Sequence, residues 1–245
     1  MGIEATKDNL LDKPEGTGVV TDAAAVVRFE IGGTLRFLSH AETVRVFERA
    51  FARAGVPVKY TQGFNPHARL SLPLPRAVGV AASDERLVLR VFDPQGFPLA
   101  ASAQAERLAW EARIAAQLTD VLPGQIVIDG VTLTKSSASY HPVSAQYVLA
   151  LRQGAGSRLP ERRAEVLAAA HWVMDRVKPN RRLTRSVDVR PFLKSIRLEH
   201  GQVRVECGIS DAGTIRVDEI LTLLDLTPMD LAGPIRRMNI TWKIT

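Results

Sequence analysis

The order of elements along this sequence predicts an α+β protein of two tandem ferredoxin-like (βαββαβ) domains, each an antiparallel sheet with two helices on one face. Three observations carry that expectation. Alternating apolar residues mark short strands, capped stretches carry helical apolar stripes, and the order strand, helix, strand, strand, helix, strand is followed by a similar series. No residue-level repeat accompanies it, so the duplication rests on element order. The expected boundaries are a disordered leader over 1–24, a first domain over 25–137 and a second over 138–245.

The leader is polar and acidic, lacks an apolar period and ends in Ala23-Ala24-Ala25. Val27, Phe29 and Ile31 then alternate with Arg28 and Glu30, and after Gly32-Gly33 the pattern resumes at Leu35 and Phe37, either as a hairpin or as one bulged strand. Ser39 and Glu42 form a capping box that starts a helix with Val44, Phe47, Ala50, Phe51 and Ala54 on its buried stripe. Gly55 and Pro57 end it. Strands are expected over 69–74 and 87–92, separated by a Pro/Gly segment, then a helix over 98–118 and, after Pro123-Gly124, a strand over 126–133. In the second half a strand covers 146–151, and Val166, Ala170, Val173 and Val177 give a helical stripe behind Pro160. Ile196 and Leu198 pair with Val203 and Val205 across His200-Gly201. A helix through Val217, Ile220, Leu221 and Leu224 precedes a last strand over 235–242.

With 46% hydrophobic residues the chain of 245 can bury a core, and its longest apolar runs fall far short of a bilayer span. With an acidic N-terminus in place of a basic leader, this points to a cytoplasmic protein without a membrane partner. The single cysteine, Cys207, excludes an internal disulfide and cannot supply the thiolates of an iron-sulfur or structural zinc site; among Val203, Val205 and Ile209 it reads as core. Net charge is +6, from 32 basic and 26 acidic residues. Residues 1–24 contribute two lysines against five acids, or −3, which leaves +9 for the rest. Between Arg158 and Arg204 twelve Lys or Arg stand against five acids, with Arg176, Lys178, Arg181, Arg182 and Arg185 in the densest part and Arg190 as a further candidate RNA ligand. That is either a phosphate footprint or an arginine-rich solvated face.

Several motifs resemble a known family. They are Arg36-Phe37-Leu38-Ser39-His40, Phe47-Glu48-Arg49-Ala50, Gln62-Gly63-Phe64-Asn65-Pro66-His67, Pro73-Leu74-Pro75, Asp188-Val189-Arg190-Pro191 and Gly213-Thr214-Ile215-Arg216. Over about residues 26–243 the chain is similar to the bacterial radical-SAM-linked (radical SAM-associated) proteins, a domain of unknown function found beside or fused behind a cobalamin-type radical SAM enzyme. It departs from the pattern at Ala41-Glu42-Thr43 and at Val217, where leucine-aspartate-leucine and proline are usual. The resemblance implies work with a separately encoded radical SAM enzyme, since the three-cysteine cluster motif is missing from this chain.

The candidate site follows from local chemistry. His40 falls at a helix start, where free amides attract phosphate and the dipole favours a neutral imidazole, so it either transfers a proton or caps the turn. In the 62–67 loop Gly63 permits tight backbone and Asn65-Pro66 turns the chain. Phe64 then either stacks a base or plugs the core. Two histidines without ligand-spaced partners make no metal site, and no cofactor is expected. His141, His171 and His200 receive no role, and Asp218 and Glu219 read as helix first-turn acids. The expected function is an RNA-binding accessory protein that presents tRNA or rRNA to the radical SAM partner. Arg36, Ser39, His40, Gln62, Phe64, Asn65 and His67 together with the arginine-rich segment would form one basic groove. The alternatives are a metal-independent endoribonuclease using His40, akin to CRISPR-type enzymes, and a docking module for the radical SAM protein.

Overall fold

The computed structural model describes residues 21–93, 103–178 and 181–245. The first strand, β1, runs over Thr21–Ile31 and places Ala25, Val27, Phe29 and Ile31 on one face of the core, as alternation demands. It starts inside the expected leader: Ala23 pairs with Val91 and Lys135, and Ala24 with Arg90, so the strand takes residues that composition alone would leave disordered. The rest of the leader, 1–20, lies outside the described residues.

The chain does not continue as a strand after Gly32-Gly33. Residues Gly33–Phe37 form a 3-10 helix, because Gly33 sits at φ +51° and Gln125 fastens the turn. The Gln125 carbonyl accepts the Gly32 amide, and its side-chain Oε1 accepts from the Thr34 hydroxyl and the Leu35 amide. Helix α1, His40–Arg53, then follows its expected bounds, with Phe47 and Phe51 buried and Phe47 4.6 Å from the Phe29 ring centroid.

Of the strand expected over 69–74 only Leu70–Ser71 (β2) forms, and the prolines that follow account for its end. Next come β3 (Ala81–Asp93), α2 (Gln104–Val121) and β4 (Ile126–Lys135). In the second half β5 (Tyr140–Ala150) and α3 (Leu159–Ala168) are followed by a hairpin, β6 (Val173–Lys178) and β7 (Arg181–Asp188). The expected helical stripe therefore stops at Ala168. Val173 and Val177 belong to the hairpin, where β-branched residues fit an extended backbone better than a helix. The hairpin is an excursion from the series completed by β8 (Leu193–Glu199), β9 (Gln202–Gly208), α4 (Val217–Leu223) and β10 (Arg236–Ile244). The β8–β9 register pairs Ile196 with Val205 and Leu198 with Val203, as the sequence predicts.

The described residues thus form a mixed α+β protein with four α-helices and one large sheet in the order β4-β1-β3-β10-β5-β9-β8, with β2 also on β3. The expectation of separate antiparallel sheets is corrected at one point. Arg236, Arg237 and Met238 of β10 pair in parallel with Ala81, Ala82 and Ser83 of β3, which is free there because β2 is short. Two cores result, one within 25–133, the other within 145–240 plus Leu74. Cys207 lies in the second, where burial pushes its thiol up to about 12.

A buried ion pair closes the junction. Arg237 of β10 grips Glu85 of β3 through two bonds of 2.9 Å and also donates to the Pro75 and Leu74 carbonyls; both side chains are 3% exposed or less. Such a pair is tolerated in a core because every guanidinium nitrogen meets an acceptor, four of the five N–H donors being used. Next to it, Arg76 is buried and donates to the carbonyls of Arg36, Leu38 and Val80, tying the turn before α1 to the chain entering β3.

Candidate nucleic-acid interface

The 62–67 loop is held open from below. The Thr61 amide donates to the His67 carbonyl, and the Thr61 hydroxyl accepts the His67 amide at 3.0 Å. Gly63 at φ +130° and Asn65-Pro66 carry the chain round, leaving Gln62, Asn65 and His67 exposed. Phe64 is fully exposed, so its ring does not plug the core. Two backbone bonds lock the loop's stem to β3, Lys59 to Arg90 and Arg90 to Arg69, and a third, Arg69 to Lys59, closes the stem on itself.

That stem carries residues that the sequence reading did not single out. Lys59, Arg69 and Arg90 line a depression of about 240 Å³ with Asp22, Ala23 and Ser136. Lys59 pairs with Asp22, and its ammonium lies 4.9 Å from the Phe92 ring centroid. Desolvation, and then the neighbouring Arg69, lower the Lys59 pKa. Tyr60 and Phe92 are both about half exposed beside these cations. A signal existed in the sequence: Lys59-Tyr60 and Arg69 flank the loop on either side, and Arg90 and Phe92 alternate with the buried Leu87, Leu89 and Val91.

The other predicted residues lie elsewhere. Ser39 caps α1, its hydroxyl accepting the Glu42 amide while Glu42 accepts the Ser39 amide and hydroxyl, which holds the Glu42 carboxyl below its usual range. His40 is exposed at the first helical position, and Arg36 stacks 4.3 Å from the Phe37 centroid. This turn sits at the start of β3, where the Gly79 amide donates to the Arg36 carbonyl, whereas the loop stem sits at Arg90. The fourteen residues of α1, about 21 Å at a helical rise, separate His40 from the chain leading to the loop. The two sets do not share one groove.

Within the arginine-rich segment, the fold takes up the guanidinium groups of Arg176 and Arg190. The Arg176 guanidinium donates to both Glu219 oxygens and to the Thr214 carbonyl, and is only 16% exposed. Arg190 donates to the carbonyls of Ala169, Leu193 and Leu167. These two are corrected from phosphate ligands to fold-holding groups. Arg185 is exposed on β7, and the side chains of Lys178, Arg181 and Arg182 lie outside the described residues. Glu219, read as a first-turn acid, also bonds the Arg216 amide.

Among the described residues no group of three or more His, Cys, Asp or Glu gathers as a metal cage, and no helix is long and apolar enough to cross a membrane.

Comparison with known proteins places residues 25–217 in a bacterial family described as "Uncharacterized protein conserved in bacteria (DUF2344)". The chain belongs to this family. No curated protein matches it. Among solved structures, the acetolactate synthase small subunit from Thermotoga maritima aligns over 91% of this chain and 97% of its own at 11% identity. The TM-score is 0.20, too low to carry an argument.

Proposed function

We propose that this chain is an RNA-binding accessory protein, built of two ferredoxin-like units joined edge to edge, that serves a separately encoded cobalamin-type radical SAM enzyme in tRNA or rRNA modification. The two-unit reading is supported by strand order: β4-β1-β3-β2 in the first half and β10-β5-β9-β8 in the second are the same permutation, the β6–β7 hairpin being an insertion. The observation that carries RNA binding is the fully exposed Phe64 ring on a braced loop beside Lys59, Arg69 and Arg90. A fixed aromatic gives a base a stacking platform, and the cations neutralise the adjoining phosphates. The enzyme partner rests on the motif resemblance. The cytoplasm follows from an RNA partner.

The test is electrophoretic binding of bulk tRNA across a salt series. Affinity that falls steeply with salt and drops in Phe64→Ala supports the reading; no binding at low salt removes it. The same incubation in chelator, with His40→Ala beside it, reads out the endonuclease alternative as RNA cleavage.

A further inference from the structure

A cleft opens at the junction of the two halves, at the opposite end of β3 from the loop. Its volume is about 480 Å³, inside the range of roughly 300–1,000 Å³ usual for small-molecule sites. The lining is apolar, with Phe37, Val78, Val217, Leu221, Leu231 and Pro234 prominent. Phe37 and Val78, more than half exposed, lie together on one wall of the cleft as a contiguous apolar patch. Among the described residues the charged lining groups are Arg36 and Arg152, and none is a carboxylate.

Both guanidinium groups are anchored. Arg36 donates to the Gly33 carbonyl and stacks on Phe37, while Arg152 Nε donates to the Leu231 carbonyl at 2.9 Å. A guanidinium has five N–H donors, so each retains several after its anchoring bond. The wall is set before any ligand arrives. Buried Arg76 binds the Arg36, Leu38 and Val80 carbonyls, and Gly79 at φ +88° lets the chain turn where a Cβ would sit 3.6 Å from the Phe37 ring. A rigid apolar floor with two cations and no balancing acid complements one kind of small molecule.

We propose that this junction cleft binds a small amphipathic organic anion, an apolar body carrying a carboxylate that Arg36 and Arg152 receive. The ligand bridges both halves, since Phe37 and Val78 belong to the first and Leu221 and Leu231 to the second. Its site is independent of the RNA reading.

The full chain is titrated with the fluorescent anion anilinonaphthalene sulfonate, which is then displaced with octanoate or octylammonium. Octanoate is expected to compete and octylammonium to compete at least about tenfold less well. Arg152→Gln weakens octanoate about tenfold, Val78→Trp abolishes its binding by filling the cleft, and Phe64→Ala leaves it unchanged. Equal competition by octylammonium, undiminished octanoate binding in Val78→Trp or Arg152→Gln, or no octanoate binding at millimolar concentration overturns the proposal. The charge comparison uses the unmodified protein, so it stands even if a variant fails to fold.

Discussion

The arginine-rich second half and the loop end of the first half differ in what stands beside their cationic side chains. In the second half Arg162 donates to the Leu223 carbonyl, Arg163 to Ile196, Arg176 to Thr214 and Glu219, and Arg190 to three carbonyls. These groups satisfy backbone oxygens at the C-terminal ends of α3 and α4, along β8 and at Thr214, and they tie those elements together. At the loop end fewer cations, Lys59, Arg69 and Arg90, stand beside three exposed rings. The difference teaches that charge density along a sequence does not locate a phosphate surface. At the loop end Lys59 is paired with Asp22 and Arg90 donates to the Ser136 carbonyl, so exposed Arg69 is the cation that stands open beside the uncovered rings.

The comparison breaks most sharply at the buried extreme of the first class. Arg237→Met leaves the Glu85 carboxyl without its partner at 3% side-chain exposure, and we expect a loss of about 3–5 kcal/mol in urea unfolding. Replacing both partners with apolar residues should recover much of it. If Arg237→Met alone unfolds like the parent, the junction does not depend on that pair.

At the loop end the sign reverses, with function lost and stability kept. Phe64→Ala should weaken tRNA binding by about 1–3 kcal/mol, the typical worth of one stacked base, with no shift in the thermal midpoint. Unchanged affinity would move the interface away from the loop. Arg69→Gln sharpens the same test: it should reduce the salt slope of tRNA binding by about one, whereas Arg190→Gln should lower stability and leave the slope alone.

Smaller effects come from the caps. Ser39→Ala removes the hydroxyl that starts α1 and should cost about 1 kcal/mol of stability. The carboxyls of Glu42, Asp188 and Asp230 are all held below their usual range, through Ser39, His171 and Thr227 respectively. A depressed folded-state pKa contributes stability that is complete above the ordinary carboxyl pKa, about 4, and is lost as pH falls through the lower folded value. Urea melts at stepped acidic pH should therefore show midpoints declining below that pH. Glu42→Gln and Asp188→Asn should flatten the decline.

Local signals were legible where one short segment contained the whole cause. The Ser39–Glu42 box with its apolar stripe set the bounds of α1, and His200-Gly201 set the β8–β9 register, because capping and turn geometry act within a few residues. The turn after Ile31 was not legible, since Gln125, some ninety residues away, shapes it. The role of Arg190 was hidden for a similar reason: the carbonyls that hold it belong to Leu167, Ala169 and Leu193.

The sequence by itself determined the α+β composition, the helix caps, the alternation of the strands and the exceptional character of the 62–67 loop, all properties of neighbours along the chain. Packing at long range made β10 join β3 in parallel, brought Arg237 and Glu85 together from 152 residues apart, and left Phe64 clear of the core. Those outcomes depend on which distant surfaces pack and which polar groups they must satisfy, and burial is a property of the assembled fold rather than of any residue within it.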